Sequence, residues 1–356
     1  MSKTALIMAA GTGGHIFPAL AVAQALQAKG WKPVWLGTTH GMENRLVAPH
    51  GYPMVQLQMQ GVRGNGLLRK LKTPFMLLRA IWQARKAIRQ HRPAVVVGFG
   101  GYVGFPGAVA AWLSGVPLLI HEQNAVAGLT NRVSARLAKR VLQAFPNVFP
   151  PQPKLATVGN PVRDSIVAMP EPAVRYADRH GPLQLLVVGG SQGAMALNQT
   201  VPAALASMPE AQRPQVVHQS GEKQIAALRE HYTQAGVAAE AVPFIEDMAT
   251  ALQRADVVLC RAGALTVSEL AAAGVAGIYV PLPTAVDDHQ TANARFLTDA
   301  GAGWLLPQQE MTVASLARLL AGLDRQELQV RAEKARQKGM PQATQQVVAA
   351  CEEVAR

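Results

Sequence analysis

The chain has 356 residues, 49% hydrophobic and 16% charged, which excludes a disordered polypeptide and gives length enough for two cores. Its two cysteines, Cys260 and Cys351, exclude a disulfide framework and a CxxC motif, and point to a reducing compartment. Charge divides unevenly: residues 1–160 carry 18 Lys+Arg against only Glu43 and Glu122, a net of +16, while residues 161–356 carry 16 bases and 20 acids, a net of −4. That asymmetry points the first half toward an anionic partner, nucleic acid or an anionic membrane leaflet.

In chain order, the apolar run ending at Ala10 has no signal-peptide cleavage pattern and reads as a first strand, Ala5–Ala9. The turn Gly11-Thr12-Gly13-Gly14-His15 follows it and opens a helix in which Pro18 falls near the first turn. A helix N-terminus presents unpaired N–H groups and a positive dipole end, so a glycine-rich entry attracts phosphate. His15 in that turn faces the carboxyl edge of the sheet, where an imidazole can take a proton from a hydroxyl; a helix-capping or core histidine is the plainer alternative.

Strands follow at Pro33–Leu36 and Met54–Leu57. The segment Arg63–Arg92 has nine basic residues and no acid, and a helix over about 73–90 aligns Leu77, Ile81, Ala84 and Ile88 on a core stripe. Phe75, Leu78 and Trp82 are left beside the charges, as in a helix that rests on anionic lipid. An ordinary solvated helix stays open. Nucleic-acid binding is disfavoured, because no recognised motif accompanies the charge.

Residues 93–120 are uncharged, but their six glycines and three prolines break a single membrane span. Strand, glycine loop, short helix and strand fit better, giving Ala94–Val97 and Pro117–Ile120, with Val141–Gln143 and Ala156–Val158 to follow. Four prolines lie between Pro146 and Pro153, and a linker near Arg163 divides the chain almost evenly.

The second half repeats the scheme with Gln184–Val188, Gln215–His218, Val242–Phe244, Val257–Cys260, Ile278–Val280 and Trp304–Leu306. Gly189-Gly190-Ser191-Gln192-Gly193-Ala194 is a second glycine turn between strand and helix. Arg261–Glu269 is a third helix entry, with Glu269 one turn inside, where it can accept from a ribose diol or merely favour the helix dipole. Asp287–Asn293 supplies polar groups suited to a sugar, and Arg163 or Arg261 can neutralise a diphosphate. No G-x-G-x-x-G, Walker A, D-x-D or metal-ligand cluster occurs, so neither hydride transfer nor a metal or other cofactor is called for. Alternating strands and helices predict an α/β protein of two Rossmann-like, doubly wound parallel sheets, residues 1–162 and 163–340; a last helix, 341–356, packs on either.

The segments GTGGH at 11–15, GGYVGFPG at 100–107, HEQNAVAGLTN at 121–131, GNPVR at 159–163, GGSQGA at 189–194, RAGALTVSE at 261–269 and DDHQTANA at 287–294 carry a resemblance over nearly the whole chain. Together they resemble the UDP-N-acetylglucosamine transferases that convert lipid I to lipid II in bacterial peptidoglycan synthesis, inverting glycosyltransferases of the GT-B fold. The resemblance implies two Rossmann-like domains facing a deep cleft, with acceptor and membrane on the first and UDP-sugar on the second. It implies that Thr12, Gly13, Gly14, Asn124, Arg163, Ser191, Ile245, Ala264, Leu265, Thr266, Val267, Ser268, Glu269 and Gln290 line the UDP-sugar site. It makes His15 the general base, with Tyr102 and Glu122 on the acceptor side. It further implies UDP-N-acetylglucosamine and lipid I as ligands, peripheral attachment to the cytoplasmic face of the inner membrane, and a cell-wall synthesis complex as a further partner. Ala10, Val103–Pro106 and Pro283–Val286 depart from the usual family pattern. A UDP-sugar epimerase on the same scaffold, or a sensor that binds UDP-sugar without consuming it, is the rival reading.

Overall fold

A computed structural model of the chain describes residues 2–59, 67–190 and 193–355, with the side chains of 67–72 outside that description. The chain divides into two compact units: Met1–Val162 with Pro341–Arg356, and Arg163–Met340. All strand pairs in both are parallel.

Among the described residues the first unit holds seven strands: β1 Thr4–Met8, β2 Lys32–Thr38, β3 Met54–Leu57, β4 Val95–Gly98, β5 Leu118–Glu122, β6 Arg140–Gln143 and β7 Leu155–Thr157. Their order is β3-β2-β1-β4-β5-β6-β7. The strands are near-continuous runs of Val, Ile, Leu and Met because helices cover both faces of the sheet. The order reverses between β1 and β4, so the loops after these two strands, 9–12 and 99–103, open side by side at the switch point where ligands of doubly wound sheets collect.

The second unit repeats this with β8 Gln184–Val188, β9 Gln215–Gln219, β10 Glu240–Val242, β11 Val257–Cys260, β12 Ala276–Tyr279 and β13 Gly303–Leu305, ordered β10-β9-β8-β11-β12-β13. Its switch point lies between β8 and β11. All thirteen expected strands are present. β10 is displaced from the expected Val242–Phe244 because Pro243 has no N–H to give the ladder, so pairing ends at Val242.

Two helices differ from expectation. Leu67–His91 begins earlier than 73 and runs through Pro74, while Ala80, Ala84, Ala87 and Ile88 are buried and Leu77 and Ile81 pack against the same core. In Gly13–Ala28, Pro18 is the sixth residue, beyond the first-turn N–H groups that have no helical acceptor. It therefore removes one ladder bond and leaves the carbonyl of exposed Gly14 without its i+4 donor.

The uncharged stretch forms β4, the helix Gly104–Leu113 and β5. Among the described residues no helix is long and apolar enough to cross a membrane. The last helix, Ala343–Val354, belongs to the first unit: Val347, Val348, Cys351 and Val354 join its core, and Glu352 and Glu353 pair with Lys29 and Arg140. The chain thus returns to close the unit it began.

Val347→Asp, which buries an unpartnered charge, is expected to destabilise the first unit by several kcal/mol. Val330→Asp, on the half-exposed face of Arg325–Lys338, should stay within about 0.5 kcal/mol. Hydrogen exchange on each unit checks both; equal effects would count against the closing role of the last helix.

Candidate active site

In the first unit the glycine turn sits at the switch point with its neighbours packed tightly around it. Gly13 is buried, Thr12 and Gly14 are exposed, and His15 is half-buried with its N–H donating to the Thr12 carbonyl at 3.1 Å. The loop after β4 presses on this turn. At Gly101, φ is +80° and a Cβ would collide with the Ala10 carbonyl, so only glycine lets the two loops meet. Ala10 is fully buried at that contact. A Cβ on Gly100 would lie 3.0 Å from His15 Cδ2, which places the imidazole edge against the loop, and the half-exposed Tyr102 ring comes next to Gly11. His15 and Tyr102 therefore share one small region.

Glu122 has a different task. It is 2% exposed, and its carboxylate accepts from the N–H of Asn124 at 2.9 Å, the N–H of Gly128 at 3.1 Å and Nδ2 of Asn131 at 2.9 Å. A carboxylate so saturated shapes the loop 122–131, and with it the position of Asn124. Asn131 in turn lies near Gly100 and the His15 ring.

His121 was not singled out in the sequence. It is fully buried, with Nε2 2.8 Å from the Gly159 carbonyl and Nδ1 3.1 Å from the Gln123 amide nitrogen. Burial lowers its pKa to about 4 against the opposing pull of the Gly159 bond. The ring is neutral, donating from Nε2 and accepting at Nδ1, and with Asn160, which donates to the Gln123 carbonyl at 3.0 Å, it ties HEQN to GN.

In the second unit, Gly189, Gly190 and Gly193 stand at the end of β8 before the helix Met195–Ala206, while Ser191 and Gln192 lie outside the described residues. The brace here is an amide. Gln219 Oε1 accepts the Gly190 N–H at 3.1 Å, and its Nε2 donates to the carbonyls of Gly190 and Pro243 at 3.0 and 3.2 Å. A Cβ at Gly193, φ +74°, would strike the Ser220 carbonyl. Behind it, Asn198 Nδ2 donates to the Ser220 carbonyl at 3.3 Å, which leaves its Oδ1 to accept from His218 Nε2; His218 Nδ1 then accepts from the Tyr232 hydroxyl at 2.9 Å. Burial pushes the pKa of His218 down to about 3, so this ring is neutral too.

After β11 the helix Ala264–Ala273 begins with no side-chain cap, so its first N–H groups face outward from the sheet edge. Leu265, Thr266 and Ser268 are half-buried there, and Ala264, Val267 and Glu269 are buried. Burial raises the Glu269 pKa to about 7, and the neighbouring Arg163 draws it back. Arg163 precedes the short helix Asp164–Val167 and also bears on Asp247, whose carboxylate is held low mainly by Thr250. The helices Asp164–Val167, Met248–Arg254 and Ala264–Ala273 pack on one another, which gathers Arg163, Ile245 on the loop before Asp247, and Glu269 near one end of the sheet.

Arg261 does not join them. Its guanidinium donates to the carbonyls of Val280 and Pro281 at 3.1 and 3.2 Å and to Gln308 at 2.6 Å, so Arg261 is held by its own strand ends. Gln290 accepts the Leu282 N–H at 2.9 Å, and Asp287 and Asp288 hold left-handed backbone just before it. Asn293, fully buried, donates to the Ala262 carbonyl at 3.1 Å and links this loop to the one after β11.

Residues 5–143 match the glycosyltransferase family 28 N-terminal domain and residues 184–347 the glycosyltransferase family 28 C-terminal domain. The chain belongs to glycosyltransferase family 28. It is 58% identical over 99% of both chains to a protein of Verminephrobacter eiseniae named UDP-N-acetylglucosamine--N-acetylmuramyl-(pentapeptide) pyrophosphoryl-undecaprenol N-acetylglucosamine transferase. A Bordetella pertussis protein of the same name is 57% identical over 100% of this chain and 99% of its own. The crystal structure of Acinetobacter baumannii MurG superposes with a TM-score of 0.85 at 48% identity, covering 99% of each chain. The chain is thus a member of the MurG family, with the two Rossmann-like domains of the GT-B fold. UDP-GlcNAc 2-epimerase from Neisseria meningitidis, at 12% identity and a TM-score of 0.67, shares the fold alone.

The neutral buried groups fix the pH response. Below pH 6.5 an unfolded chain protonates a histidine that folded His121 refuses, so the first unit should lose about 1.4 kcal/mol per pH unit from 6.5 toward 4. In the second unit His218 acts in the same sense, but Glu269 acts oppositely: its raised pKa gives stability below 4.5 that is lost as pH rises toward 7. The two cancel between 4.5 and 6.5. Unit-resolved hydrogen exchange should show the first unit weakening with acid while the second stays nearly flat, and a reversed order would contradict the assignment.

Proposed function

We propose that the chain transfers N-acetylglucosamine from UDP-N-acetylglucosamine to the 4-hydroxyl of undecaprenyl-pyrophosphoryl-MurNAc-pentapeptide, lipid I, forming the β1→4 link of lipid II with inversion. The observation that carries this is the end-to-end identity of 58% with a transferase of that name. The geometry above supports a division of labour between the units.

His15 is the base that takes the acceptor hydroxyl's proton as the oxygen attacks the anomeric carbon from the face opposite the leaving diphosphate. One displacement gives inversion. Tyr102 orients the acceptor beside it, and Glu122 acts through the loop it holds rather than on substrate. Thr12, Gly13, Gly14 and Asn124 border the transferred sugar.

On the second unit the Ile245 backbone addresses the uracil and Glu269 accepts from the ribose hydroxyls. Ser191 and the N–H groups at Ala264, Leu265 and Thr266, with Val267 and Ser268 behind them, receive the diphosphate beside Arg163. Gln290 faces the sugar. No step calls for a metal ion or a cofactor.

Docking on the cytoplasmic face of the inner membrane explains the basic half. Phe75, Leu78 and Trp82 are 76%, 65% and 64% exposed, Lys86 lies over the Trp82 ring, and Trp112 and Leu113 are exposed on the helix that packs against theirs. Each nearby Lys or Arg adds about 1 kcal/mol on anionic lipid. Residues 63–66, part of this segment, lie outside the described residues.

Radiolabelled UDP-N-acetylglucosamine with a lipid-linked muramoyl acceptor should give labelled lipid product equally with and without EDTA. Isomerised UDP-sugar formed without acceptor would favour an epimerase instead. His15→Ala and Glu269→Ala should each lower turnover at least 100-fold in folded protein; near-normal rates in both would remove the site assignment.

Glu269 also predicts a proton count. Ribose hydroxyls donating to its carboxylate favour the charged form, so binding of UDP-N-acetylglucosamine, whose diphosphate has no group titrating near neutrality, should release a proton near pH 7 and tighten from pH 6 to 8. Calorimetry in two buffers of different ionisation enthalpy measures the release, which Glu269→Gln should abolish.

A further inference from the structure

We propose that Glu43 is a positioning residue for the transfer: its buried carboxylate holds the N–H of Gly11 and thereby sets where His15 stands. The proposal rests on the reading of His15 as the base.

Glu43 is one of only two acids in the first 160 residues, and in so basic a region an acid would ordinarily lie exposed beside a lysine or arginine. Instead it is fully buried. Its hydrogen-bond donors are neutral: Oε1 accepts the N–H and the hydroxyl of Thr38, each at 2.7 Å, and Oε2 accepts the N–H of Gly11 at 3.2 Å. Burying a carboxylate costs several kcal/mol unless donors meet it, so the site is built to keep it. Asn44 fixes the adjoining turn by donating to the carbonyls of Thr38 and Gly41 at 2.9 and 3.1 Å. Room is made as well: a Cβ on Gly41 would overlap both carboxylate oxygens, and one on Gly37 would stand 2.8 Å from the Glu43 Cγ.

The carboxylate therefore clamps the end of β2 to the first residue of the glycine turn. Four residues later the chain reaches His15, whose N–H and that of Ile16 close on the Thr12 carbonyl at 3.1 and 3.2 Å. The other side of the imidazole is bounded by Gly100 and by Asn131, which the other acid of this half holds. Each of the two acids thus fixes one wall of the space the ring occupies. The clamp has a second effect. Gly11's N–H is spent on the carboxylate and is not offered to a ligand.

A catalytic group displaced by about 1 Å can cost 100-fold in rate. Glu43→Gln keeps the shape but turns an NH2 toward Gly11 or Thr38, and should lower kcat by 10- to 100-fold while KM for UDP-N-acetylglucosamine stays within twofold. Gly41→Ala pushes the carboxylate aside without removing its charge and should give the same split. Thermal unfolding records folding, and the NMR signals of the His15 ring, which should move in both variants, report its position whether or not transfer occurs. Unchanged kcat and ring signals in the folded variants would overturn the proposal, as would a loss of rate only together with loss of fold in both. Absence of transfer by the unaltered chain would count against the functional reading instead, and the ring signals would still decide this one.

Discussion

The loops at the carboxyl ends of the two sheets are held by buried polar side chains bonded to loop backbone, and everything placed on those loops depends on that bracing. A parallel sheet delivers loops to one edge but does not shape them, since backbone beyond the last ladder bond must find other partners. Glu43, Glu122, Gln219 and Asn293 are those partners here, each bonded to the main chain of a loop beside a switch point. Rigid elements carrying braced loops can hold reacting groups to within fractions of an ångström, which loops in solvent cannot.

The fold was legible because its signals are local. Thirteen β-branched runs alternate with helical stretches, and parallel strands buried on both faces have to be continuously apolar. Two of the differences trace to one missing backbone N–H each: Pro243 ended β10 early, and Pro18 lay too deep in its helix to be free of cost. The motif residues were equally legible, since glycine turns and helix entries are sequence-local. The bracing was not. Gly11 meets Glu43 across 32 residues and Asn293 meets Ala262 across 31, separations that no spacing rule connects. One clue was available: two acids in 160 residues are scarce enough to suggest that each is kept for a purpose. The engagement of Arg261 with Val280, Pro281 and Gln308 was likewise invisible, because an arginine beside a helix entry looks the same whether it faces ligand or its own strand ends.

Charge also separates into layers in the first unit. The basic residues of Leu67–His91 lie on an outer helix with exposed Phe75, Leu78 and Trp82, whereas Glu43 and Glu122 are interior and the acids of the last helix, Glu352 and Glu353, are paired with Lys29 and Arg140. A surface facing anionic lipid gains from this arrangement twice, by the attraction of its lysines and arginines and by the removal of acids that would oppose it.

The two units use different braces, and the difference bears on which of them takes the nucleotide. Gln219 holds the Gly190 turn with a neutral amide, and the uncapped N–H groups of the helix Ala264–Ala273 open beside it, near Arg163. The Gly190 turn is thus braced by an amide and not by a carboxylate. In the first unit the same kind of turn is backed by the Glu43 carboxylate, which takes the Gly11 N–H an anion would want. Two glycine turns that look alike in sequence are therefore braced differently, one by a neutral amide and the other by a carboxylate, and the field at the two helix entries differs accordingly.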